Sequence, residues 1–235
     1  MNKLKLTFLS VSILFVMSSC VTTLLKVAGI HEIKSFNAVE YQKKSDQLTK
    51  KYPGQKVSFA ISDTSSVRYS ALFDSIYPNF SLQPIQILYF DKQRKLVSYH
   101  TNCLAPGSIN KLNWNHEQRL EQYFPKSAAD VSHETWTLDD LIQKVGLSES
   151  TIPRNKDVVV FMWSNMLKRE INNANSTMIS NIVDHLDKKD YPFIIYLNVD
   201  KLLASSYNDA LTQEFLQRVL TESEYNKHPL NKKKI

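Results

Sequence analysis

Apolar residues are distributed along this chain in three patterns. The first is a nearly continuous run of twelve residues, 6–17, behind Lys3 and Lys5. It falls short of the roughly 20 residues that a spanning helix requires, and it suits the core of a secretory signal peptide. The second is helical spacing. It predicts helices over Phe36–Tyr52, Ser66–Tyr77 (closed by Pro78), Leu138–Val145 (before Gly146), Ser176–Lys189 and Asp209–Thr221. The Ser176–Lys189 helix gathers Met178, Ile179, Ile182, Val183 and Leu186 on one face. The polar stretch Asn172–Thr177 ahead of it reads as a lead-in, with Asn175 or Ser176 as N-cap. The third pattern is short β-rich runs at Val57–Ile61, Ile85–Asp91, Leu96–Thr101, Val158–Ser164 and Phe193–Val199. The polar turn Lys92–Lys95 makes the second and third of these a hairpin. The last two are uninterrupted apolar strands of the kind buried on both faces of a parallel sheet, and with the helix between them they form a βαβ unit. Residues 102–135 are mixed and loop-like, with one short helix expected over Asn115–Tyr123.

Ser18-Ser19-Cys20 follows the apolar run and is similar to the lipobox of bacterial lipoproteins, although Met17 stands where that motif usually has Leu. The resemblance implies a signal peptide over residues 1–19, an acylated tether over 20–35 and one folded domain over 36–235. The implied partner is the lipid bilayer, reached through acylated Cys20 with palmitate-type chains. Each buried methylene contributes about 0.8 kcal/mol, so two or three chains anchor a protein stably without a transmembrane helix. Val21 and Thr22 replace the Asp that retains many lipoproteins in the inner membrane. By family analogy the expected location is the outer membrane of the cell envelope, with the domain facing the periplasm.

Composition narrows the function classes. A hydrophobic content of 43% suits a globular domain. The four glycines, Gly29, Gly54, Gly107 and Gly146, are too scattered for a phosphate-cradling loop. The net charge of +6 falls to +4 once Lys3 and Lys5 are removed, and Lys232–Lys234 contributes much of the remainder, which is a basic terminus rather than a nucleic-acid footprint. With Cys20 acylated, Cys103 is the single remaining thiol, so no internal disulfide forms. A lone cysteine is expected to pack as a small hydrophobe.

The 158–201 unit resembles the first half of a thioredoxin-like domain. Phe161 and Trp163 end the first strand and Asn198-Val199-Asp200 ends the second, in places that match the family. The resemblance implies an α/β fold, a thioredoxin-like three-layer α/β/α sandwich with a mixed sheet, whose redox dithiol would fall near Asn165–Ile171. That stretch contains no cysteine. The family's later hairpin is also missing, and the 85–101 hairpin is expected to complete the sheet from the other side of the sequence.

Candidate chemistry is sparse. His100 and Cys103 are three apart at a strand end, and a metal would need His116, Glu117 or His133 to complete its ligands, without a recognisable spacing. Cys103 as nucleophile with His100 or His116 as base lacks a third, orienting group. His133-Glu134 and Asp184-His185 are adjacent pairs, which do not share a face on a regular element. Trp114, Trp136 and Trp163 are expected in the core rather than in a ligand pocket. The expectation is a membrane-anchored, non-catalytic binding or accessory protein with an envelope protein as a second partner, without cofactor, metal or nucleic acid. The alternative is a single-thiol redox protein using Cys103.

Overall fold

A computed structural model describes residues 29–62, 83–108, 110–132 and 137–206. The expected helices at Ser66–Tyr77 and Asp209–Thr221, the signal peptide and Cys20 lie outside them. The described chain forms helices α1 (Ala38–Thr49), α2 (Leu138–Val145), α3 (Lys168–His185) and α4 (Asp200–Ser206). Its strands are β1 (Lys56–Ala60), β2 (Gln86–Phe90), β3 (Leu96–Thr101), the short pair β4 (Gly107–Ser108) and β5 (Lys111–Leu112), β6 (Val158–Trp163) and β7 (Phe193–Asn198).

Five strands make one mixed sheet in the order β1-β7-β6-β2-β3. β1 and β6 flank β7 in parallel, while β2 runs antiparallel to both β6 and β3. The 85–101 hairpin therefore joins the βαβ unit through β6, as expected, although it precedes that unit in sequence. Every residue of β2, β6 and β7 is buried, which explains their continuous apolar composition.

Because side chains alternate along a strand, the sheet feeds two cores. On one face Leu88, Val160, Met162, Ile195 and Leu197 pack against Leu138, Leu141, Ile142 and Val145 of α2 and Leu202 and Leu203 of α4. On the other, Ile87, Tyr89, Phe161, Trp163 and Tyr196 meet Leu48 of α1 and Ile171, Ala174, Met178 and Ile182 of α3. Each such side chain contributes roughly 1.5–3 kcal/mol when fully buried.

The helix ends follow local chemistry. Asn37 accepts from the backbone of Val39 and Glu40 to start α1. Thr137 and Asp140 form a reciprocal capping box on α2, and Gly146 ends it with φ 74°, the left-handed conformation that glycine adopts most readily.

Four expectations change. α3 starts at Lys168 rather than Ser176, and Asn175, expected as its N-cap, lies mid-helix and buried, its side-chain amide donating to the Leu48 carbonyl at 3.3 Å. The expected Asn115–Tyr123 helix is only a turn over His116–Gln118, because Glu117 and Gln118 both have positive φ. α4 was not foreseen. The expected tether over 20–35 is packed at its far end: Ile33 is buried and the His31 amide donates to the Met166 carbonyl, so the folded part starts before residue 36.

Candidate functional site

In an open α/β sheet, ligands favour the crevice beyond the carboxyl ends of the parallel strands. Here that edge lies where β1, β6 and β7 end, and the described chain concentrates polar side chains there in two groups.

The first group ties β6 to β7. Asp200, almost fully buried, accepts from the Ser164 hydroxyl at 2.6 Å, the Asn165 amide at 2.9 Å and the Asn165 side chain at 2.7 Å. Asn198 continues the seam, its side chain donating to the Trp163 carbonyl at 3.3 Å and accepting from the Asp200 amide at 3.1 Å. The resemblance had singled out Asn198-Val199-Asp200, and their role here is to close the strand ends on each other. Ser164 is fully buried, with its hydroxyl committed to Asp200 while it also accepts from the Met166 amide. A nucleophile needs an approach path, and Ser164 has none among the described residues.

The second group is at the end of the hairpin. Gln83, buried, accepts at Oε1 from the Asn102 side chain at 3.0 Å and the Cys103 thiol at 2.7 Å. Asn102 in turn accepts from the Ile85 amide at 3.0 Å. Cys103 is exposed, contrary to the expectation of a packed thiol. It falls just past the end of β3, in a single turn over Asn102–Leu104. In sequence Cys103 is remote from Ser164. In space, the pairings Thr101↔Gln86 and Gln86↔Met162 bring both ends to the same edge, two strands apart, about 10 Å at a spacing of 4.7–4.9 Å per strand.

His100 does not join Cys103. It is a buried residue of β3, within 3.2 Å of the Ser98 hydroxyl and edge-on to Tyr89. Burial, with a smaller effect from the Arg119 charge, pushes its pKa down to about 4, so the ring is neutral near pH 7. Its partners and burial are those of a packed core histidine. His116 lies in the turn beyond, 3.6 Å from Glu117, and that carboxylate also pairs with Arg119. His133, Glu134 and Trp136 lie outside the described residues. Among the described residues no group of three or more His, Cys, Asp or Glu is placed to hold a metal ion.

A buried carboxylate escaped the sequence reading. Glu170, in the first turn of α3, is fully buried and accepts from Trp114 Nε1 at 2.8 Å, Asn173 Nδ2 at 2.7 Å and the Leu112 amide at 3.4 Å. Its ligands are groups of the chain itself, and they clamp the β4–β5 pair and Trp114 onto α3. Asn181 repeats the device farther along, donating to the carbonyls of Leu120 and Gln122. Trp163, the other described tryptophan, is buried and stacks on Tyr41. His185, of the adjacent pair, lies within 2.8 Å of the Asn181 carbonyl in the last turn of α3.

Comparison with protein-family models, with curated proteins and with solved structures finds no match.

Proposed function

We propose that this chain is an envelope lipoprotein, held to the membrane through acylated Cys20, whose thioredoxin-like domain binds or accompanies an envelope protein rather than catalysing a reaction. The observation that carries the non-catalytic part is the use of the β6 end. The stretch where the family resemblance would put a dithiol, Asn165–Ile171, holds no cysteine, and its first residue, Asn165, is buried and bonded to Asp200 together with Ser164 just ahead of it. The five-stranded mixed sheet, with a parallel βαβ unit and a flanking hairpin, supports the fold reading. The anchor rests on Lys3, Lys5, the apolar run and Ser18-Ser19-Cys20. The location remains the one that Val21 and Thr22 favour, the outer membrane with the domain facing the periplasm.

The test is Cys20→Ala in cells. The substitution is expected to abolish metabolic labelling with palmitate and to release the domain from a carbonate-washed membrane fraction. Retained labelling, or membrane retention equal to wild type, overturns the anchor.

One observation favours a second reading, a single-thiol redox protein: Cys103 is exposed and lies at the same sheet edge as the β6 end. Simple reactivity with a thiol reagent does not separate the readings, because an exposed thiol reacts in both. Catalysis does.

A further inference from the structure

The outer side of α1 and α3 carries an excess of cations around the place where the described chain begins. The two helices run side by side in the same direction, with Lys168 beside Glu40 and Lys44 beside Asn172. Lys44 donates to the Lys168 carbonyl at 3.4 Å and to Asn172 Oδ1 at 3.0 Å, and Lys51 donates to Ser176 at 3.3 Å; these partners are neutral. The nearby charges of Lys51 and Lys168 add to burial in lowering the Lys44 pKa, which places the three ammonium groups within reach of one another's fields. Lys43 and Arg169 are exposed beside them, and among the described residues neither forms an ion pair. On the far side of α3, the β4–β5 pair is clamped by Glu170 and presents exposed Lys111. Against these cations stand Glu40, paired with Lys168, Asp46, Glu32, paired with Lys34, and the buried Glu170.

The start of the described chain lies within this basic zone. Gly29 packs against the Asn110 side chain, next to Lys111, and His31 bonds to Met166, two residues before Lys168. Gly29 lies nine steps along the chain from Cys20. At 3.3–3.6 Å per residue these span at most about 32 Å. An acylated Cys20 would therefore join the bilayer to the domain at this side, and bringing the opposite end of α3, about 27 Å along its 18 residues, to the same depth would take nearly the full extension of the chain. A cation within a Debye length of an anionic leaflet, roughly 8–10 Å, strengthens association on the order of fivefold.

We propose that the α1–α3 face, through Lys43, Lys44, Lys111, Lys168 and Arg169, is the membrane-apposed side of the domain and docks on anionic phospholipid headgroups. This rests on the lipid anchor proposed above and adds an orientation to it.

The acylated protein, purified from its own membranes, is reconstituted into vesicles of phosphatidylcholine alone or of phosphatidylcholine with phosphatidylglycerol. Flotation on phosphatidylcholine reads the anchor by itself, since that surface carries no net charge. Acetylation by a water-soluble amine reagent, read residue by residue by mass spectrometry, then reports the docked face. Lys43, Lys51 and Lys111 are expected to react severalfold more slowly on the phosphatidylglycerol vesicles at low salt and to regain their rates in high salt. Lys188 and Lys189, beyond the other end of α3, are expected to react equally on both. The exposed double substitution Lys43→Glu with Arg169→Glu is expected to restore the Lys111 rate. Equal rates on the two surfaces, or slowing shared by Lys188 and Lys189, overturn the docking face while leaving the anchor intact. Loss of flotation on phosphatidylcholine overturns the anchor and this orientation with it.

Discussion

The two polar groups at the carboxyl edge of the sheet differ in what they expose. At the β6–β7 end, Ser164, Asn165, Asn198 and Asp200 are all buried and bond to one another or to backbone. At the hairpin end, Gln83 is buried but holds Asn102 and an exposed Cys103. Proximity to a strand end is thus no guide to reactivity. Access decides, and the end of β6, at the entry to the stretch that the fold resemblance would make reactive, is the sealed one.

The largest expected effect comes from unsealing that end. Asp200→Ala leaves the Ser164 hydroxyl, the Asn165 amide and the Asn165 side chain without their acceptor in the interior, and at about 1–3 kcal/mol per stranded group it should lower unfolding stability by roughly 3–5 kcal/mol. A urea-unfolding loss below about 1 kcal/mol, within the range of a solvent-exposed hydrogen bond, would show that the cluster does not hold the strands together.

A pH dependence sharpens the contrast on the hairpin side. His100 has a folded pKa of about 4 against an ordinary 6.5, so between those values the unfolded chain binds more protons than the folded one. Stability is then complete above pH 6.5 and is lost as the pH falls toward 4, by up to about 3 kcal/mol. The wild type minus His100→Gln difference in unfolding free energy should fall across that window. A difference that is flat with pH would mean that the ring is solvated or already charged.

Glu170→Gln is expected to have a smaller effect. It keeps an oxygen for Trp114 but loses the charge that strengthens three donors, for a loss of about 1–2 kcal/mol. Hydrogen exchange should speed up over residues 107–114 more than in β6, because the clamp is local. Uniform acceleration would instead place Glu170 in the global core. Cys103→Ser, at an exposed turn, should change stability by less than about 0.5 kcal/mol.

The sequence is most legible where one physical rule acts alone. β2, β3, β6 and β7 appear within a residue or two of their expected bounds, because strands buried on both faces need continuous apolar runs and hairpins need polar turns. α2 is equally plain, with a capping box ahead of it and a glycine behind. The first two turns of α3 were lost because Glu170, Asn172, Asn173 and Asn175 look like a solvated loop. Glu170 and Asn175 face inward, toward Trp114 and the Leu48 carbonyl, while Asn172 and Asn173 bond to Lys44, Leu112 and Glu170. Polar residues with long-range partners carry no periodic signal. The Asp200 cluster was half visible: Asn198-Val199-Asp200 stood out, but its partners lie 35 residues earlier and only the folded sheet brings them together. Cys103 departs from the packing expected of a lone cysteine because it sits just beyond the end of its strand.

The sealed β6 end carries the account, and disulfide exchange tests it most directly. That reaction needs one thiolate to attack and a second to resolve the mixed disulfide, and this domain offers only Cys103. Purified residues 21–235, which carry no other cysteine, and their Cys103→Ser variant are assayed for insulin reduction by dithiothreitol. Both are predicted to match the uncatalysed rate, while acceleration by the wild type that is lost in Cys103→Ser would contradict the non-catalytic reading and establish Cys103 as a redox center.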